Sequence, residues 1–71
     1  MKLKVGDWVN VKNYGDGPGR VRQLIGEYFR ANFLKEDGVE YSADLIPTLH
    51  IEKIITNPTE IEELEKEYNG I

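Results

Sequence analysis

Hydrophobic and polar residues alternate over residues 7–12, with Val9 and Val11 on one face and Trp8, Asn10 and Lys12 on the other. A period of two is that of a half-buried strand. The alternation returns over residues 28–34, where Phe29, Ala31 and Phe33 point inward and Tyr28, Arg30 and Asn32 outward. Between these runs, residues 14–19 hold three glycines and a proline. Neither a helix nor a central strand accepts that density, so the segment reads as a loop with some glycines at positive φ. Residues 20–25 are β-prone, with Val21, Leu24 and Ile25 as apolar positions, and Gly26-Glu27 closes a tight turn. Glu36-Asp37-Gly38 is a hairpin signal, after which Val39 and Tyr41 share a face. Residues 42–45 read as a single 3₁₀ turn before Ile46-Pro47, and residues 49–55 as a fifth strand. Five short strands at spacings of about 8–12 residues predict a small barrel or sandwich. The predicted core is Val5, Val9, Val11, Val21, Ile25, Phe29, Ala31, Phe33, Val39, Tyr41, Leu45, Ile51 and Ile54.

The pattern then changes. In Asn57-Pro58-Thr59-Glu60 an N-cap residue precedes a proline at the first helical position, with an acid three residues on. Ile61, Leu64 and Tyr68 follow at helical spacing, and Gly70 stands where a C-cap glycine belongs. A helix of about eleven residues is marginal alone in water. It is expected to dock its narrow apolar stripe, and the outward face of the first strand is one candidate. Trp8 therefore has two readings: a shelf for that helix, or an exposed aromatic.

The chain has 71 residues and no cysteine. That length makes one domain, burying only about 60% of its unfolded surface, and neither a disulfide nor a thiolate metal site can staple it. No apolar run approaches the roughly 18 residues of a membrane span, and the first residues lack the apolar segment of a signal peptide. The expectation is a soluble, cytoplasmic domain. The net charge of −4 is unevenly spread. Residues 1–35 carry seven Lys/Arg against three acids, a net of +4, and residues 36–71 carry two against ten, a net of −8. The overall sign argues against a general nucleic-acid footprint. A local basic face on the N-terminal half remains compatible with it.

Candidate chemistry is sparse. Gly15-x-Gly17-x-Gly19 invites a phosphate-loop reading, but a dinucleotide fingerprint needs a helix after it, and here a strand follows. His50 stands between Leu49 and Ile51 without a positioned partner for base or metal work. No nucleophile set assembles, and the glutamates of residues 60–67 read as the solvated face of a helix. An enzyme is not expected, nor a metal, a cofactor or a small-molecule substrate. The outward aromatics Trp8, Tyr14 and Tyr28, beside Arg20, Arg22 and Arg30, form the candidate contact surface, by stacking or cation–π contact.

Val5-Gly6-Asp7-Trp8-Val9-Asn10-Val11, followed by Tyr14-Gly15-Asp16-Gly17-Pro18-Gly19-Arg20-Val21, resembles the opening of bacterial Tudor-like, SH3-like barrels. The likeness continues through Ala31-Asn32-Phe33, Gly38, Tyr41-Ser42-Ala43-Asp44-Leu45 and Ile51-Glu52-Lys53-Ile54, covering roughly residues 3–55. Such domains occur at the C-terminus of UvrD-type helicases, at the N-terminus of RapA-type helicases, and as the polymerase-interaction domain of CarD-type regulators. The resemblance implies an all-β, five-stranded SH3-like barrel over residues 1–56, with residues 57–71 as an acidic helix packed on or appended to it. It implies a docking module for transcription or DNA-repair machinery such as RNA polymerase. Direct nucleic-acid binding through the same face, or a role as accessory subunit of a larger complex, are the alternatives.

Overall fold

The computed structural model describes residues 2–12 and 17–70. In chain order the elements are β1 (Trp8–Val11), β2 (Gly19–Ile25), β3 (Tyr28–Lys35), β4 (Gly38–Tyr41), β5 (Ile46–Pro47), a 3₁₀ turn (Thr48–His50), β6 (Ile51–Ile55) and α1 (Pro58–Asn69). The strands form one sheet in the order β4-β3-β2-β1-β6, with β5 also paired to β3. Every pairing is antiparallel.

Local chemistry sets the hairpins. Ile25 pairs with Tyr28 across the two-residue turn Gly26-Glu27, and Gly26 takes φ 57°, a left-handed conformation open to glycine. Lys35 pairs with Gly38 across Glu36-Asp37. Of the glycines expected at positive φ, Gly15 lies outside the described residues, and Gly17 and Gly19 at the entry to β2 have another use. They permit close approach. A Cβ on Gly19 would stand 2.6 Å from the Phe33 ring, and one on Gly17 2.7 Å from the Leu34 carbonyl oxygen. The Val5-Gly6 turn prolongs the β1–β2 ladder: the Gly6 amide donates to the Val21 carbonyl, and the Val21 amide to the Asp7 carbonyl, each at 2.8 Å.

The sheet is buried on both faces. One face holds Val9, Val11, Val21, Phe29, Ala31, Phe33, Ile46 and Ile51, with Leu3 and Ile54 against them. The other holds Trp8, Leu34 and Ile55, covered by Val39 and by Ile61, Leu64 and Tyr68 of α1. Asn57 caps α1 as its sequence predicts, its Oδ1 accepting from the Thr59 and Glu60 amides at 2.9 and 3.1 Å. Gly70 ends the helix in a right-handed conformation, its amide donating to the Lys66 carbonyl at 3.0 Å.

Several expectations are corrected. There are six strands among the described residues rather than five, because Ile46–Pro47 forms a short strand against Tyr28 and Phe29. The 3₁₀ turn falls at Thr48–His50 rather than at residues 42–45, so the last strand begins at Ile51. Four expected core residues, Val5, Ile25, Tyr41 and Leu45, are exposed. Val5 sits in a turn. Ile25 follows a register shift between Val21 and Gln23, which breaks the alternation the sequence suggests. Tyr41 pairs with Asn32 on the helix side of the sheet, beyond the reach of α1. Trp8, Leu34, Ile46 and Ile55 take their places in the interior.

Gly19→Ala is expected to destabilise the fold by about 1–3 kcal/mol, because Phe33 is fully buried and its ring has no room to retreat. Gly26→Asn, at a left-handed position with open space around it, is expected to stay within about 1 kcal/mol of the parent. Urea unfolding of the two variants checks the contrast.

Candidate interaction surface

Cross-strand register lines up five residues on one side of the sheet. Ile55 of β6 pairs with Trp8 of β1, Trp8 with Arg20 of β2, Arg20 with Asn32 of β3, and Asn32 with Tyr41 of β4. Directly opposed residues point to the same face, so these side chains form a continuous row. Helix α1 contacts the row as far as Asn32. Trp8 is only 1% exposed, whereas Tyr41, at the far end, is 65% exposed.

Two helix residues do the polar work. Glu65 Oε1 accepts from Trp8 Nε1 at 2.8 Å and from Arg20 Nε at 3.0 Å. Tyr68 sets its ring edge-on to Trp8 at 5.8 Å between centroids, under the Arg20 guanidinium at 5.5 Å. Its hydroxyl accepts from Asn32 Nδ2 at 2.8 Å. The apolar contacts carry most of the docking energy, since an ion pair as exposed as Arg20–Glu65 is worth roughly 0–1 kcal/mol. The polar contacts fix the register instead. Buried Trp8 and Asn32 each need a partner, and the helix as placed supplies Glu65 to one and Tyr68 to the other. Asn32 Oδ1 is left without one: it is buried and has no hydrogen-bond partner among the described residues.

A second cluster lies beyond the helix. Arg22 donates through Nη2 to the Ser42 carbonyl at 2.8 Å, and Arg30 through Nε to the Ala43 carbonyl at 3.2 Å. Arg30 Nη1 also donates to Gln23 Oε1 at 2.7 Å. The two arginines pin the segment between β4 and β5, which Ser42 anchors from beneath: its hydroxyl accepts from the Ala31 amide at 2.8 Å, and its amide donates to the Ala31 carbonyl at 2.9 Å. Tyr28, 46% exposed, stands two residues before Arg30 on the same face of β3, opposite the exposed Ile25.

The sequence-derived surface is thus divided. Trp8 faces the chain's own helix, so its burial removes it from any exposed surface, and Arg20 is joined to the same clasp. Arg22 and Arg30 share the second cluster, with Tyr28 adjoining it, and Tyr14 lies outside the described residues. Sequence reasoning missed Asn32, Glu65 and Tyr41. Glu65 was within reach of periodicity, as it follows Leu64 and precedes Tyr68 by three residues, which puts it on the flank of the docked stripe. Asn32 carried no such signal, because an outward polar residue on an alternating strand reads as solvated.

On the opposite side, Leu3, Leu24, Gly26, Glu27, Thr48, Leu49 and Ile51 line an open groove of about 420 Å³, with Leu49 92% exposed. His50 is exposed. Among the described residues no cluster of three His, Asp or Glu side chains is placed to hold a metal ion, and no helix is long and apolar enough to cross a membrane. Comparisons of the chain with known protein families, with characterised proteins and with solved structures return no match.

Tyr68→Phe is expected to lower stability by about 1–3 kcal/mol, because it strands the buried Asn32 amide. On a domain of this size that is a melting-point loss of roughly 4–8 °C per kcal/mol. Tyr28→Phe, which removes the hydroxyl of an exposed tyrosine, is expected to change stability by less than about 0.5 kcal/mol. Thermal melts followed by circular dichroism compare the two.

Proposed function

We propose that the chain is a non-catalytic protein-interaction module built on an SH3-like, Tudor-like barrel, docking in the cytoplasm onto transcription or DNA-repair machinery such as RNA polymerase. The element order supports the barrel: an antiparallel meander of β1 to β4, then a 3₁₀ turn leading into a last strand that returns to pair with β1. The sequence resemblance over roughly residues 3–55 points the same way. The observation that carries the functional reading is the group Ile25, Tyr28 and Tyr41, three large side chains left exposed beside Arg22 and Arg30 on the part of the sheet that α1 does not cover. Aromatic residues and arginine are the types enriched where proteins meet.

Electrostatics favours a protein over a nucleic acid as the partner. Arg20 is committed to Glu65, and Arg22 and Arg30 already donate to backbone carbonyls. The net charge is −4, so counterion release offers little gain.

Affinity capture with the tagged chain is expected to recover a polymerase or helicase subunit. Arg22→Glu with Arg30→Glu, and separately Tyr28→Ala, are each expected to reduce that recovery at least tenfold while circular dichroism shows an intact sheet. Undiminished recovery with both folded variants rules this surface out.

A further inference from the structure

We propose that the face of the sheet beneath α1 is a recognition site for acidic amphipathic helices of other proteins, and that α1 is its resident, displaceable occupant. This deepens the protein-interaction reading above and rests on it. The ligand class is a helix presenting an apolar residue, a glutamate next to it and an aromatic hydroxyl three residues on, the arrangement of Leu64, Glu65 and Tyr68.

Three observations converge. The first is asymmetric burial. Trp8, Leu34 and Ile55 are almost wholly covered, yet no residue of α1 is fully buried. The sheet behaves as a groove and the helix as a peptide lying in it. The second is the chemistry of the floor. Trp8 Nε1 and Arg20 Nε converge on one carboxylate oxygen over an apolar surface, and tryptophan and arginine at the centre of an apolar patch are what binding hot spots are made of. A carboxylate on a helix satisfies both donors. A phosphate backbone satisfies the arginine but leaves Leu34, Ile55 and Val39 facing charge. The third is the unmet acceptor. Asn32, only 8% exposed and bonded to Tyr68 through Nδ2, keeps Oδ1 without a partner among the described residues. A partner helix that brings an N–H or O–H to that atom would add a hydrogen bond that α1 does not make.

Release is also cheap in covalent terms. Only Thr56 and Asn57 separate β6 from α1, and both are exposed. Among the described residues no backbone hydrogen bond joins α1 to a strand, and Asn57 caps the helix locally. Side-chain contacts alone hold α1 on the sheet, and its tether keeps it close by. A short linker confers an effective concentration on the order of millimolar, so an incoming helix must outbid that, or act when something else draws α1 away.

Trp8 is the only tryptophan in the chain and reports on the site directly. The full chain carrying Glu65→Lys and Tyr68→Ala is expected to show Trp8 emission shifted to longer wavelength with amide dispersion of the sheet retained. A synthetic peptide of wild-type sequence 57–70 is expected to restore the emission, and the same peptide with lysine at the position of Glu65 to bind at least tenfold more weakly. No restoration at several millimolar peptide, in a variant that keeps its sheet, overturns the proposal. So does restoration by a single-stranded oligonucleotide but not by the peptide, or a wild-type chain that dimerises with concentration by exchanging α1 between copies. Should the double variant lose its sheet, native-state hydrogen exchange on the wild-type chain decides. Exchange of α1 amides and the Trp8 indole through an opening that leaves β1–β3 protected supports the proposal, and exchange only with global unfolding overturns it. Loss of peptide binding with affinity capture intact rejects this site alone, whereas loss of capture with peptide binding intact rejects the exposed surface of the preceding section.

Discussion

The sheet of this chain must bury both of its faces, and β1 bears that demand most directly. Trp8 and Val9 are neighbours on the same strand, so their side chains leave it in opposite directions, and both are almost completely inaccessible. A 71-residue chain has too little material for two full layers over a sheet. It covers one face by packing strands against one another and the other with a single helix of three turns. The same constraint explains β3, where the alternation expected of a half-buried strand gives way to four consecutive buried residues, Ala31 to Leu34.

Much of the fold was legible because local chemistry and tertiary structure agree. Gly26-Glu27 and Glu36-Asp37 are hairpin turns in sequence and in space, and Asn57-Pro58 starts the helix where capping rules put it. The outward direction of Trp8 and the apolar stripe of α1 were each readable as well. Their meeting was one of the two readings of Trp8 and is the one found, although local patterns alone left open which surface joins which. Other errors arose where one residue broke a period. The shift after Val21 exposes Ile25, and Val39 and Tyr41 share a face that proves to be the helix side. Ile46–Pro47 is too short for any periodic signal. In the candidate surface, residue types were recoverable from sequence, but their division was not, because the helix alone decides which of the arginines and aromatics stay uncovered.

That division also gives the polar contacts under α1 a second meaning. Apolar burial is non-directional, and a stripe of Ile61, Leu64 and Tyr68 alone would tolerate sliding along the sheet. Donors at Trp8, Arg20 and Asn32 give the packing of the helix a defined register.

Ser42 has an effect on colloidal behaviour that goes beyond anchoring a loop. β3 is the longest strand and holds the most buried residues, and one of its edges is shared between β4 near its end and β5 near its start. In the gap between those partners Ser42 accepts one backbone hydrogen bond from Ala31 and returns another. Among the described residues that edge of β3 is therefore partnered along most of its length, which leaves little of it open to another chain. The unpaired edges fall to β4, which carries Glu40, and β6, which carries Glu52 and Lys53, where charge discourages another chain from adding itself to the sheet.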